Sequence, residues 1–88
     1  MSYKVEIFKG ALKQLKKLSP ELRERIQLQI DDLAIEPRPN GVKKLKGKDE
    51  SYRIRVGDYR VIYDIYDDVL LVNVVEVDHR NKIYKNES

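Results

Sequence analysis

Cysteine and tryptophan are absent from this 88-residue sequence, and histidine, methionine and phenylalanine each occur once. Without cysteine the chain can form neither a disulfide nor a thiolate metal site, so its stability must come from packing and polar contacts. The longest apolar run, Val69–Val72, has the length of a strand, whereas a membrane span needs about 20 apolar residues. The start also lacks the apolar core of a signal peptide. These absences predict a soluble, cytoplasmic protein that does not enter a membrane.

The length of the chain fits one domain, and we expect residues 1–88 to form it. Its 18 basic residues outnumber the 15 acidic ones, for a net charge of +3. The excess is concentrated between Lys43 and Arg60, where seven basic residues accompany three acidic ones. Clustered Lys and Arg attract phosphates, so the middle of the chain predicts a polyanionic partner. The ordinary alternative is a solvated charged surface.

The first half of the sequence predicts one strand and two helices. Residues 3–8 alternate apolar and charged side chains, as a strand does, and Gly10 ends that pattern. Residues 11–18 carry leucines at helical spacing. Ser19 and Pro20 then provide the N-cap and first position of a second helix, which we expect to end before Pro37. Together the two segments predict a helical hairpin.

The second half predicts a meander of three strands. Residues 52–56, 59–66 and 69–77 are rich in β-branched and aromatic side chains. Gly57-Asp58 and Asp67-Asp68 are the predicted two-residue turns. The expected fold is therefore α+β, with the helical hairpin packed on one face of a mostly antiparallel four-stranded sheet.

The first turn places three arginines on one face of the predicted sheet. If Gly57-Asp58 is a two-residue turn, Arg55 lies directly opposite Arg60, and Arg53 shares their face because side chains alternate along a strand. Three guanidiniums on one rigid surface suit the bidentate binding of phosphate. Three solvated arginines on an exposed face are the simpler interpretation of these residues taken alone.

A second polar group follows the last predicted strand, with Asp78, His79, Arg80 and Tyr84 close together in sequence. We expect this segment to lie at the end of the sheet beside the arginine face. A lone histidine at a strand end is more often incidental, and a tyrosine near a terminus more often packs, so only the combination with the arginines points to a site.

Taken together, these segments resemble the RelE/ParE toxin superfamily, and within it the RelE-like ribonucleases. The resemblance covers nearly the whole chain and is carried by KLKG at 44–47, YRIRVGDYRVIY at 52–63, VDHR at 77–80 and Tyr84. It implies the RelE-like fold, a cognate antitoxin protein, and a toxin that cleaves mRNA in the ribosomal A site and so inhibits translation.

The resemblance also implies roles for individual residues. It assigns Arg55, Arg60, Arg80 and Tyr84 to catalysis, and Arg53, Lys44, Lys46 and His79 to RNA and phosphate binding. Some relatives carry lysine at the positions of Arg53 and Arg55, and the spacing between Arg80 and Tyr84 varies among them.

The implied reaction is attack of a ribose 2′-OH on the adjacent phosphate, which requires charge stabilisation and a base. Arginine is a poor proton acceptor, so Tyr84 is the first choice of base, because neighbouring arginines favour the phenolate. His79, whose ordinary pKa is about 6.5, is the second. No histidine or glutamate completes a metal site around the aspartates near residue 67, so we expect neither a metal nor a cofactor.

Two alternatives of other classes remain open. ParE-like relatives share the fold and poison DNA gyrase without cutting RNA. A toxin that has lost its activity would act only as an antitoxin-binding module. Arg80 followed by a tyrosine four residues later favours the nuclease, and the complete set of arginines makes the inactive module the least favoured of the three.

Overall fold

The computed structural model describes residues 2–47 and 50–79. The elements in chain order are β1 (Lys4–Ile7), α1 (Lys9–Lys16), α2 (Pro20–Asp32), β2 (Lys43–Lys44), β3 (Ser51–Val56), β4 (Tyr59–Tyr66) and β5 (Leu71–His79). The strands form one sheet in the order β1-β5-β4-β3-β2. Both helices pack on one face of this sheet, which confirms the predicted α+β architecture.

The sheet differs from the prediction in having five strands and a mixed topology. β1 runs parallel to β5, while the other pairs are antiparallel. The fifth strand, β2, comprises only Lys43 and Lys44, which the sequence does not predict as a strand. Two lysines carry no strand propensity, so β2 owes its conformation to backbone pairing with Tyr52 and Arg53 of β3.

Helix α2 begins and packs as its sequence predicts. The Ser19 hydroxyl accepts a hydrogen bond from the backbone N–H of Leu22 at 3.4 Å, and Pro20 occupies the first turn. Ile26 and Ile30 are fully buried against the sheet. This i, i+4 spacing places one apolar face of the helix on the core.

Helix α1 is shifted from the prediction, because it begins at Lys9 and includes Gly10. Its buried side chains are Ala11 and Leu15, while Leu12 remains 40% exposed. The leucines that residues 11–18 carry at helical spacing therefore do not all face the core. Ala11 and Leu15 are four residues apart, so they share the face of the helix that packs on the sheet. Leu12 follows Ala11 and therefore lies outside that face.

The β3–β4 hairpin has the predicted register. Val56 pairs with Tyr59 across a two-residue turn in which Gly57 adopts a φ of +60°. Such a φ favours glycine, since a Cβ makes it costly. The next connection is longer than predicted, because Tyr66 pairs with Leu71 across residues 67–70. β5 consequently starts two residues later than its apolar run and continues to His79.

A polar cluster joins the loop after α2 to β3, to the β4–β5 connection and to the segment before β1. The Arg38 guanidinium donates from Nη1 and Nη2 to the two carboxylate oxygens of Asp67 at 3.2 and 2.8 Å. Tyr3 donates its hydroxyl proton to the same carboxylate at 2.6 Å. Arg38 also lies over the ring of Tyr52, 5.1 Å from its centroid. Arg38 thereby links three segments that are distant in sequence.

These contacts shift the acidity of their members. Hydrogen bonds from Arg38 and Tyr3 lower the pKa of Asp67 from 3.8 to about 2. The same hydrogen bond with Asp67 raises the pKa of Tyr3. Nearby, burial raises the pKa of Tyr63, whose hydroxyl donates to the backbone carbonyl of Pro37 at 2.7 Å. Tyr63 and Arg38 thus fix the same loop at adjacent residues.

Neither of the two helices in residues 2–47 and 50–79 is long and apolar enough to cross a membrane.

Asp67→Asn should make the folded state less stable at neutral pH, because it removes the carboxylate that Arg38 and Tyr3 bind. The pKa of Asp67 is lower in the folded state than its ordinary value, so its contribution is present above pH 3.8 and disappears as the pH falls towards 2. Urea unfolding of wild type and variant should therefore differ at pH 7 and converge between about pH 4 and pH 2.

Asp68→Asn is the matched control, since Asp68 is an exposed neighbour in the same connection. It should follow the wild-type curve at every pH. An Asp67→Asn protein as stable as wild type at pH 7 would contradict the assigned role of this cluster.

Candidate active site

The sheet carries a row of cations on the face opposite the helices. Arg55 pairs with Arg60 and Arg53 with Ile62 across β3 and β4, as the predicted register requires. Residues paired across strands share a face, so all three arginines lie on the side away from Ile54 and Val61 in the core. Lys43 pairs with Arg53 from β2 and joins the same face.

These cations surround a cleft of about 400 Å³ at the edge of β3. The edge is open because β2 pairs only with Tyr52 and Arg53 in the described part of the chain, which leaves β3 beyond Arg53 without a strand neighbour on that side. The cleft is lined by Gln29, Pro39, Asn40, Gly41, Lys43, Arg53, Ile54, Arg55 and Arg60. Four of these nine carry positive charge, and none of the described lining residues carries a negative one. A cleft with this lining attracts anions.

The three arginines differ in accessibility, which their shared face did not predict. Arg55 is exposed and Arg53 is half-buried, whereas Arg60 is only 1% exposed. Asp78 of β5 stands directly opposite Arg60 on its other side. The three guanidiniums therefore do not all project from the surface as expected, because Arg55 is exposed, Arg53 is intermediate and Arg60 is a buried charge behind them. A buried charge acts through a lower effective dielectric constant than an exposed one.

The loop that lines one side of the cleft is positioned by the polar cluster at Arg38. Arg38 precedes Pro39, Asn40 and Gly41 of the lining, and its contacts to Asp67 and Tyr52 hold the start of this segment to the sheet. Gly41 adopts a φ of +86°, in the region that favours glycine. The Asn-Gly turn thus brings the chain back into β2 beside Arg53.

The other predicted site residues are not all brought to this cleft. Lys44 pairs with Tyr52 and so lies on the opposite side of the sheet from Lys43, while Lys46 is exposed in the turn that follows β2. Arg80 and Tyr84 lie outside the described residues.

His79 also lies away from the arginines. It pairs with Tyr59, and the two rings make an edge-to-face contact with centroids 5.5 Å apart. Because Tyr59 and Arg60 are adjacent in one strand, their side chains point to opposite faces. His79 is accordingly not among the described residues that line the cleft, and its predicted role in phosphate binding stays a prediction.

Sequence reasoning missed several residues of the cleft. Lys43 belongs to the basic segment but is not among the predicted site residues. Once β2 is known to pair with β3, alternation of side chains places Lys43, and not Lys44, on the face of Arg53. Gln29 and Asn40 come from α2 and the loop after it. Their position depends on how α2 packs against β3, which no local pattern reveals. The missed residues are thus the ones placed by non-local contacts.

Arg55→Gln should leave the fold intact or stabilise it, because Arg55 and Arg60 are like charges placed opposite each other in a sheet. The expected gain in the free energy of unfolding is about 0.2–1 kcal/mol. It should be largest at low salt and fade as salt screens the pair. Urea unfolding at low and high NaCl concentration measures both effects.

Lys44→Gln is the control for this substitution, since Lys44 stands opposite the uncharged Tyr52. It should produce no salt-dependent gain. A clear loss of stability in Arg55→Gln would show that the arginine stabilises the folded chain and would contradict this account of the pair.

Comparisons with known proteins place the whole chain in one family. Residues 5–84 match the model of the ParE toxin of type II toxin–antitoxin systems, parDE. The RelE1 protein of Methanocaldococcus jannaschii is 37% identical over 89 residues, which cover 98% of this chain and 99% of that protein. The mRNA interferase toxin RelE of Escherichia coli K12 is 29% identical, covering 93% of this chain and 87% of that one.

Structural comparison gives the same result. The archaeal RelE in the crystal structure of the RelE–RelB complex from Pyrococcus horikoshii superposes with a TM-score of 0.82 at 33% identity, over 93% of this chain and 99% of that one. The similarity of fold and the similarity of sequence both extend along nearly the full length. The chain belongs to the RelE-like toxins of the RelE/ParE superfamily of type II toxin–antitoxin systems.

Proposed function

We propose that this toxin is an mRNA endonuclease that cleaves the codon in the ribosomal A site and is held inactive by a cognate antitoxin. The observation that carries the proposal is the cleft at the edge of β3, lined by Lys43, Arg53, Arg55 and Arg60 with no acidic residue among its described lining. The E. coli relative is named an mRNA interferase, which gives this anion-binding cleft a substrate. Residues 1–88 would act as a single domain.

In the proposed reaction the nucleophile is part of the RNA, so the protein does not have to supply one. The ribose 2′ oxygen forms a bond to the adjacent phosphorus while the bond from phosphorus to the 5′ oxygen breaks. The 2′ proton passes to a base, and the leaving oxygen takes up a proton. The products are a 2′,3′-cyclic phosphate and a 5′-hydroxyl. The protein has to align these atoms and stabilise the negative charge that accumulates on the phosphate oxygens.

We propose separate tasks for the cations of the cleft. Arg55, which is exposed, and Arg53, which is half-buried, would bind phosphate oxygens. Arg60 is 1% exposed, so its main contribution is the positive potential that it adds behind them. Lys43 extends the charged row towards the loop. Lys44 and Lys46, which lie outside the cleft, would contact RNA beyond the scissile phosphate.

Proton transfer is proposed for residues near the C-terminus. Arg80 would stabilise the transition state, and Tyr84 would remove the 2′ proton, since cations near a phenol favour its ionised form. His79 is the less favoured base, because its ring packs against Tyr59 on the face away from the cleft.

The antitoxin is proposed as the second partner. The P. horikoshii relative is found in a complex of RelE with RelB. An antitoxin bound to this chain would prevent the approach of mRNA and ribosome, which explains how a cell could tolerate the toxin. No small-molecule cofactor is needed for this inhibition.

Purified toxin added to a reconstituted translation reaction should produce mRNA ends within the A-site codon, mapped by primer extension. Arg55→Ala should slow cleavage about tenfold or more, as expected for loss of a charged hydrogen bond of about 1.5–3 kcal/mol. Arg80→Ala should abolish cleavage, and Tyr84→Phe should reduce the chemical step if the phenol is the base.

Lys13→Ala is the matched control, since it removes an exposed positive charge from α1, which packs against β5 away from the cleft. Its cleavage rate should remain within about threefold of wild type, because a charge outside the cleft contributes only through screened electrostatics. Equal losses in Lys13→Ala and Arg55→Ala would place the reaction elsewhere on the protein.

The family model also bears the name of ParE, so gyrase inhibition is the second candidate function. It predicts intact mRNA in the same assay, together with gyrase trapped on DNA. If neither mRNA cleavage nor trapped gyrase is observed, the remaining candidate is an antitoxin-binding module without activity of its own.

We also propose that the reaction is metal-independent. A phosphorothioate at the scissile position should slow cleavage, because sulfur accepts hydrogen bonds from arginine less well than oxygen does. If only arginines contact that oxygen, added Cd²⁺ or Mn²⁺ should not restore the rate. Recovery by either thiophilic ion would show that a metal binds the phosphate and would overturn this proposal.

A further inference from the structure

Arg25 of helix α2 extends its guanidinium over the β3–β4 turn. A Cβ built on Gly57 would lie 3.8 Å from Nη1 and 4.0 Å from Nη2 of Arg25. The guanidinium therefore lies in van der Waals range of the turn, at a position where the turn has no side chain. Arg55 lies two residues before Gly57 in the chain, so Arg25 and Arg55 approach the same end of the sheet from different elements.

Arg25 forms no ion pair within the described part of the fold. Arg25 is exposed, and its guanidinium has no acidic partner among residues 2–47 and 50–79. An arginine held against a turn with no described acidic partner keeps its N–H donors available to an external anion.

Arg25 is also aligned with the cleft through its own helix. Gln29 lines the cleft, and Arg25 precedes it by four residues, which places both on one side of α2, separated by about 6 Å along the axis. Along β3, the two residues from Arg55 to Gly57 span about 6.6 Å. Both distances place Arg25 just outside the cleft, by about the length of one nucleotide.

We propose that Arg25 is a second phosphate-binding residue, which holds the backbone of an RNA strand immediately outside the Arg53–Arg55–Arg60 cleft. This inference rests on the proposed function, because it assumes that RNA occupies the cleft. Contacts to phosphates fix the register and direction of a nucleic acid without reading its bases. Arg25 would therefore position the strand so that the scissile phosphate reaches the cleft, and it would take no part in bond breaking.

The test compares two oligonucleotides of 2′-O-methyl RNA, which lack the attacking hydroxyl and cannot be cleaved by the proposed reaction. A fluorescent dinucleotide fills the cleft alone, while a nonamer also extends past Arg25. Binding to the full-length protein is measured by anisotropy over a series of KCl concentrations. Arg25→Ala should bind the nonamer about fivefold to tenfold more weakly at low salt and reduce the slope of log K against log [KCl] by about 0.7. Its affinity for the dinucleotide should be unchanged.

Arg23→Ala serves as the matched control, because Arg23 is exposed on the same helix but lines a different groove with Pro20 and Leu28. It should retain wild-type affinity and slope with both oligomers. Arg25→Lys should recover most of the slope, since the charge remains, but not all of the affinity, since lysine lacks the paired donors. Unchanged thermal unfolding of each variant shows that the fold is intact.

Arg55→Ala separates the failure of this inference from the failure of the proposed function. If Arg55→Ala weakens both oligomers while Arg25→Ala weakens neither, RNA occupies the cleft and the assignment of Arg25 is overturned. If neither variant changes binding, or if wild type binds neither oligomer, the cleft is not the RNA site and both proposals are overturned. A loss confined to the nonamer in Arg25→Ala supports the assignment.

Discussion

The register of the β3–β4 hairpin determines the position of the three arginines in the cleft. Val56 faces Tyr59 across Gly57-Asp58, and this pairing places Arg55 opposite Arg60. A shift of one residue would move the arginines to the helix-covered face and the core side chains to the outside. The turn therefore fixes the core and the cleft together, and Gly57 is the residue whose φ of +60° allows it. Because Gly57 has no side chain, it also leaves room beside the turn for the Arg25 guanidinium.

The cleft brings like charges together at a cost that the rest of the sheet offsets. Lys43 faces Arg53, and Arg55 faces Arg60, so two adjacent rows each contain a repulsive pair. Each pair costs only about 0.2–1 kcal/mol, which is small beside the burial of Val61, Tyr63 and their neighbours on the other face. An anion that enters the cleft relieves this repulsion. The residues that favour substrate binding thus lower the stability of the empty protein, a trade-off that is common at functional sites.

Local patterns predicted most of this fold. The Ser19-Pro20 start of α2 and the Gly57 turn follow from residue types that tolerate few other conformations. The two-residue strand β2 and the participation of Gln29 depend on contacts between segments far apart in sequence, and neither has a local signal. His79 is a different case. Val77 lies in the core, so alternation along β5 places His79 on the same face of the sheet, and its predicted contact with RNA stays a prediction.

Side-chain NMR can show whether an RNA strand binds on the arginine face. The Nε–H resonances of the arginines can be followed while a 2′-O-methyl dinucleotide is titrated into the full-length protein. We expect shifts at Arg53 and Arg55, with a shift at the backbone amide of Gly41 in the cleft wall, and none at Arg23. Shifts at Arg23 with Arg53 and Arg55 unmoved would contradict this expectation, because they would place the anion site on α2 instead of the sheet.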